Sequence, residues 1–282
     1  MVERRPFSNL LAHLILWAGI IVVVFPVYYT LIASTHNPRD IFNGEIGFLP
    51  GGVPTENYKA ALFAGAKQVK TTPATVMMLN SLAMALMIAV GKIAISIISA
   101  YAVVYFNFFG RMFAFWTIFV TLMLPVEVRI YPTYKVVADL GLLNSYWGLS
   151  VPLIASATAT LLFRQFFMTI PDELVEASKI DGAGPMRFFW DTVVPLSRTN
   201  MAALFVILFI YGWNQYLWPL LITTDATMDT IIVGIRRQIV TSDANTDWHI
   251  VMATAVLAML PPVAVVVFMQ RLFVKGLVET EK

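Results

Sequence analysis

The chain has 282 residues, 59% of them apolar and only 13% charged, with a net charge of +2, a mean hydropathy of +0.75 and no cysteine. An ordinary soluble domain carries about 25% charged and about 45–50% apolar residues, so this much apolar surface cannot close into one water-soluble core. The composition excludes a soluble enzyme, a disordered regulator, a disulfide-stapled secreted domain and a nucleic-acid binder, and leaves an all-α membrane protein.

A membrane-spanning helix needs about 20 mostly apolar residues. Six stretches qualify, at about Leu10–Ile32, Ala74–Phe106, Met112–Val126, Ser145–Phe163, Met201–Ile222 and Ile250–Phe268. The third is short for a span, and the second is long enough to tilt or to extend past the bilayer. Arg4 and Arg5 precede the first run as they would in a signal peptide. That run exceeds the ~7–15 residues of a signal-peptide core, so it reads as a retained helix. With the N-terminus inside, lysine and arginine divide ten to eight between inner and outer segments, and Lys92 within a span completes the 19. That bias favours both termini in the cytoplasm.

The loops differ in character. The first, roughly His36–Pro73, is punctuated by Pro50, Gly51, Gly52 and Pro54 and could cover the outer mouth. The loop at about Thr223–His249 is polar, with Asp225, Asp229, Asp243 and Asp247. The segment 169–200 between spans four and five is the most informative. Pro171 suits a first helical turn, and Asp172 and Glu173 complement the positive end of the helix dipole. A short helix should run from there to about Ile180 and stop at Asp181-Gly182. Pro185 should start a second, ending before Pro195. From the residues alone this elbow is either a docking element or a solvated connector.

The run Glu176-Ala177-Ser178-Lys179-Ile180-Asp181-Gly182-Ala183, followed by Phe188 and Pro195, closely resembles the EAA motif of ABC importer permeases. Ser178 stands where that pattern has alanine, a small-for-small exchange. Trp213-Asn214-Gln215-Tyr216-Leu217-Trp218-Pro219 resembles the WNxxxWP element of sugar-type importers. Leu124-Pro125 through Pro132, Gly141-Leu142-Leu143-Asn144 and the ending Phe273-Val274-Lys275-Gly276 are similar to that family as well. The stretches Met123–Arg129, Ala155–Thr160 and Phe163–Met168 look like the branch of second permease subunits serving sn-glycerol-3-phosphate importers.

The resemblance covers nearly the whole chain. It implies one permease domain over residues 1–282, in the inner membrane of a Gram-negative bacterium. It also implies a second permease subunit, a homodimer of ATPases carrying ATP and Mg, and a periplasmic solute-binding protein. The elbow would be the coupling helix facing the cytoplasm. Glu176 would anchor it in the ATPase, Asp181 and Gly182 would set its bend, Ala177 and Ala183 would permit close approach, and Pro195 would close the motif. This chain has no G-x-x-x-x-G-K-[ST] loop; its one Gly-Lys pair, Gly91-Lys92, has Leu86 where the first glycine would stand. It therefore binds no nucleotide by that route and needs no cofactor of its own.

Lys92 is the polar outlier inside the spans. A lysine at a helix centre costs about 2.5–3.5 kcal/mol to insert. Either it snorkels from a span end, or it gives the pathway a positive potential for a phosphate-bearing solute. Arg129 could meet the same anion, whereas Glu127 reads as an interfacial ion-pair partner. Asn214 and Gln215 are pathway candidates, although such residues more often hydrogen-bond between helices, as Asn80 should. Trp213, Tyr216 and Trp218 read as packing or interface residues. His13, His36 and His249 have no ligand spacing, so no metal site is expected. A neutral-sugar importer is the alternative within the family and a gated channel the alternative outside it. An intramembrane enzyme would need G-x-S-x-G or H-E-x-x-H, and neither is present.

Overall fold

A computed structural model describes residues 6–66, 71–121, 126–239 and 246–278. Among these residues every regular element is helical. In chain order they are α1 (Pro6–Ala33), α2 (Pro38–Asn43), α3 (Pro54–Phe63), α4 (Ala74–Tyr105), α5 (Arg111–Val120), α6 (Val126–Asp139), α7 (Tyr146–Ser150), α8 (Ala157–Phe167), α9 (Asp172–Ile180), α10 (Pro185–Phe188), α11 (Val194–Leu196), α12 (Arg198–Trp213), α13 (Leu217–Ile222), α14 (Ile231–Gln238) and α15 (Trp248–Val278). Arg4, Arg5, Leu124, Pro125 and Asp243 lie outside the described residues, as do the side chains of Glu127 and of Phe273–Gly276.

Three helices are long and apolar enough to cross a membrane: Asn9–Ala33, Ala74–Tyr105 and Trp248–Gln270. The number rises to five if each of two bent helix pairs is one span. The protein is thus an all-α, multi-pass membrane protein, and the middle of the chain departs from six uninterrupted helices. The third apolar stretch holds the ten-residue α5, about 15 Å of helix against a hydrocarbon core of about 30 Å.

The expected fourth span is two helices, Tyr146–Leu153 and Ala157–Phe167, bent by 50°. Pro152 has no N–H to continue the ladder, and Ser156 turns extended and caps α8 by accepting from the Ala159 N–H at 3.3 Å. Within the bilayer each freed backbone group needs a partner. Ser96 Oγ of α4 donates to the Ser156 carbonyl at 3.2 Å, and Ile154 packs so close to Gly91 that a Cβ there would come within 2.8 Å of it.

The expected fifth span also breaks: α12 ends at Trp213, and α13 resumes at Leu217. Gln215 Nε2 donates to the Tyr211 carbonyl at 3.1 Å, satisfying one of the groups released. Asn214 marks the break as C-cap rather than sitting inside a helix.

The chain divides into two compact units, 1–76 with 234–260 and 77–233 with 261–282. In the first unit, the loop after α1 is folded back on that helix. Asn57 Nδ2 donates to the carbonyls of Ser34 and His36, both at 2.9 Å, and Tyr28 donates to the Phe48 carbonyl. Gly51 lies against Thr35 and His36, where a Cβ would meet the Thr35 carbonyl oxygen at 2.5 Å. None of the most apolar 18 residues of α1 is buried.

In the second unit, Met84, Ile88, Val137, Leu149, Leu153, Trp218 and Ile222 form a buried cluster. Between helices in lipid the apolar effect gives little, so close packing and hydrogen bonds hold such a cluster. Gly212 of α12 meets Ala85 of α4, leaving 2.9 Å from an added Cβ to the Ala85 Cα. Trp218 Nε1 donates to the Gly148 carbonyl at 3.1 Å. Trp213 and Trp218 are both buried, as expected of packing residues.

Candidate functional site

Two places in the second unit concentrate the chemistry. The first is the elbow. α9 starts directly after Pro171, with Asp172 and Glu173 in its first turn and Lys179 in its last. Both placements suit the helix dipole. The helix stops at Gly182, whose φ of +71° lies in the left-handed region that a Cβ disfavours. The Ala183 N–H donates to the Ser178 carbonyl at 2.9 Å and the Gly182 N–H to the Lys179 carbonyl at 3.1 Å, closing the turn. Glu176, Ala177, Asp181 and Gly182 are exposed along the elbow and Ala183 is half-buried. Ile180, at the end of α9, is 86% exposed.

The return limb corrects one expectation. The second short helix does not end before Pro195. It continues from Pro185 through a π turn at Phe189–Val193 into α11, which runs to Leu196. A π turn takes in one extra residue and loosens the ladder, which is where a proline's missing donor is accommodated. Pro195 therefore shapes the half-buried return limb and does not share the surface of Glu176 and Asp181. The chain then bends by 69° into α12.

The second place is the middle of α4. Lys92 lies 18 residues after Ala74 and 13 before Tyr105, about 4 Å from the helix midpoint at 1.5 Å per residue. It is 7% exposed, and its Nζ stands 3.9 Å over the centre of the Tyr211 ring. Both facts argue against a lysine snorkelling to a span end. Arg129, on α6, is exposed, and among the described residues no carboxylate pairs with it or with Lys92. Lys92 is thus brought to Tyr211, whereas Arg129 lies exposed on α6. Gln215 joins Lys92 indirectly, through its bond to Tyr211, while the exposed Asn214 makes no side-chain hydrogen bond among the described residues.

Tyr211 went unmarked in the sequence reading. It sits in an apolar run on a different helix from Lys92, and the only signal for it was a ring able to face a buried cation. Asn80 serves structure: its Nδ2 donates to the carbonyls of Thr227 at 2.8 Å and Asp229 at 3.0 Å, and its Oδ1 accepts from Tyr146 at 2.7 Å. Asn144, at φ +53°, accepts on Oδ1 from the N–H groups of Thr224 and Asp225 at 2.7 and 3.0 Å. In the same loop the Thr227 N–H donates to Asp225, which holds that carboxyl below the usual aspartate range. Among the described residues no His, Asp and Glu group has metal-binding geometry.

Residues 92–279 match the family model described as the binding-protein-dependent transport system inner membrane component. The chain belongs to that family. It is 61% identical to the sn-glycerol-3-phosphate transport system permease protein UgpE of Brucella melitensis, over the full length of both chains. The corresponding proteins of Rhizobium meliloti and Yersinia pestis are 60% and 55% identical, again end to end. In fold, it is similar to a chain from the crystal structure of a bacterial ABC transporter involved in the import of the acidic polysaccharide alginate. That likeness has a TM-score of 0.81 at 19% identity, covering 96% of this chain and 98% of the other.

The protein is therefore a permease subunit of an ABC importer, closely related to the UgpE proteins, in the inner membrane. Members of this family transport rather than catalyse and act with a separate ATPase.

Proposed function

We propose that this permease translocates sn-glycerol-3-phosphate and related glycerophosphodiesters. It would do so with a second permease subunit, a homodimer of ATPases binding ATP and Mg, and a periplasmic solute-binding protein. The observation that carries the substrate reading is the buried Lys92, at mid-span over the Tyr211 ring, with no carboxylate paired with it among the described residues. A buried lysine is costly in a membrane and suits passage of a phosphate. The names of the full-length relatives support the same solute. Asn214 and Gln215 would flank this route at the break after Trp213.

The elbow, residues 169–200, would be the coupling element of a single permease domain spanning 1–282, which crosses the membrane six times with both termini in the cytoplasm. Contacts within the second unit support this orientation. Tyr101 Oη donates to the Pro185 carbonyl at 2.6 Å, which puts the end of α4 on the side of the elbow. Asn80, near the other end of α4, binds the loop carrying Thr227. Glu176 would anchor the elbow in the ATPase, with Ala177 and Ala183 allowing close approach, Asp181 and Gly182 fixing the bend, and Pro195 setting the return limb. ATP binding would then move the elbow and switch the spans between inward-open and outward-open as rigid bodies.

The test is uptake of labelled sn-glycerol-3-phosphate by the reconstituted assembly carrying Lys92→Met. A hydrogen-bonded charge is worth about 1.5–3 kcal/mol, so uptake should fall about tenfold or more while assembly and basal ATP hydrolysis persist. Unchanged uptake removes Lys92 from the pathway. Uptake of a neutral sugar in place of the phosphate overturns the substrate.

A further inference from the structure

The elbow is fastened to α4 at the end facing it, and the fastening is aromatic. Tyr105 lies edge-on to Phe188 with ring centres 5.4 Å apart, and 6.1 Å from Phe167. Tyr101 lies 4.8 Å from Phe189 and donates to the Pro185 carbonyl at 2.6 Å. Tyr105 Oη also donates to the Phe167 carbonyl at 3.4 Å. Phe167 closes α8, the limb entering the elbow, and Pro185, Phe188 and Phe189 belong to the limb leaving it. The leaving limb therefore meets both residues, one helical turn apart on α4, and the entering limb meets Tyr105. Phe167, Phe188, Phe189 and Tyr101 are all buried.

α4 is continuous from this grip back to Lys92, nine residues before Tyr101, a separation of about 14 Å along the axis. A helix without a break transmits displacement of one end to the other. The return limb, by contrast, carries a π turn that begins at the gripped Phe189, an irregularity frequent at functional sites.

We infer that Tyr101 and Tyr105 form the joint through which movement of the elbow is imposed on the helix bearing Lys92. They are positioning residues that act through α4 and touch neither solute nor nucleotide. The inference rests on the reading of the elbow as the coupling element. It adds that the hydroxyls clamp the backbones of both limbs while the rings carry the load. Aromatic contacts and a clamping hydrogen bond are the parts of a two-position device that resists slippage.

The test uses the complete reconstituted transporter with its ATPase and binding protein. Tyr101→Phe with Tyr105→Phe keeps the rings and removes both hydroxyls; Tyr101→Leu with Tyr105→Leu removes the rings too. Solute accumulated per ATP hydrolysed should drop about twofold in the first and about tenfold or more in the second, with the ATPase still co-purifying and its basal rate retained. A merely structural role would lower yield and leave that ratio unchanged. If the leucine pair does not assemble, the phenylalanine pair carries the test alone. An unchanged ratio in the assembled phenylalanine pair overturns the joint. Glu176→Ala, assayed in parallel, separates the two ideas: if it leaves ATPase binding and the ratio intact, the reading of the elbow itself fails.

Discussion

The elbow and the middle of α4 make opposite use of charge. The elbow spreads Asp172, Glu173, Glu176, Lys179 and Asp181 over a water-exposed surface, where each is solvated and adds little to stability. Its one intact ion pair among the described residues, Arg187 to Asp191 at 3.2 Å, is exposed on both sides. In α4 a single lysine is buried against a tyrosine ring. Charge is inexpensive in the first place and costly in the second. The elbow can therefore be tuned for contact with a partner, while Lys92 is retained against a cost that only a use within the membrane offsets.

The comparison is broken most directly at the elbow. Gly182→Val combined with Glu176→Ala forces a β-branched residue into φ +71° and removes the exposed carboxylate. Solute accumulated per ATP hydrolysed should fall by as much as about a hundredfold, the upper range of a coupling free energy. A ratio that stays at the wild-type value would show the elbow to be a connector.

Tyr211 sharpens the other side. A cation–π contact is worth about 0.5 kcal/mol when exposed and about 2 when desolvated, so Tyr211→Leu should cut uptake by up to about thirtyfold, whereas Tyr211→Phe keeps the ring and should leave uptake near normal. Equal loss in both variants would mean that the hydroxyl, not the ring, matters to Lys92.

Packing between α4 and α12 gives a smaller effect. Gly212→Val drives a side chain into the Ala85 backbone, and overpacking costs about 1–3 kcal/mol. The detergent-solubilised protein should melt several degrees lower, and a wild-type melting temperature would show that α4 and α12 do not approach so closely.

Much of the elbow was readable residue by residue. Pro171, the acidic first turn and the Asp181-Gly182 stop are local signals that act within one or two helical turns, and α9 starts and ends where they place it. Pro195 shows their limit. A proline reads as a terminator, but a π turn ending two residues upstream absorbed it, and no local pattern announces such a turn. The Lys92 region was legible only as an anomaly. Lys92 and Arg129 were both marked, but Tyr211 was not, because hydropathy cannot say which of several helices will face a given residue. The breaks at Ile154–Ser156 and Asn214–Tyr216 were missed for the same reason: each is tolerated because Ser96 or Gln215 supplies a partner for freed backbone.

The smallest expected effect concerns Asp225. The Thr227 N–H lowers its pKa, so its contribution is present above the unfolded carboxyl value of about 4 and fades as pH falls through the lower folded value. Asp225→Asn should differ slightly from wild type in thermal midpoint near neutrality, and the difference should shrink on acidification. A difference that grows toward low pH would contradict that hydrogen bond.

The sequence by itself determined that this chain lives in a membrane, that it is helical, and that a polar elbow with a glycine stop divides its apolar runs. Each of those follows from composition or from interactions between near neighbours in the chain. Only the tertiary structure decided which apolar runs are broken, that Lys92 turns inward onto Tyr211, and that Tyr101 and Tyr105 hold both limbs of the elbow. These depend on contacts between residues dozens of positions apart, where backbone groups released in lipid must find partners and side chains must fill the space beside them.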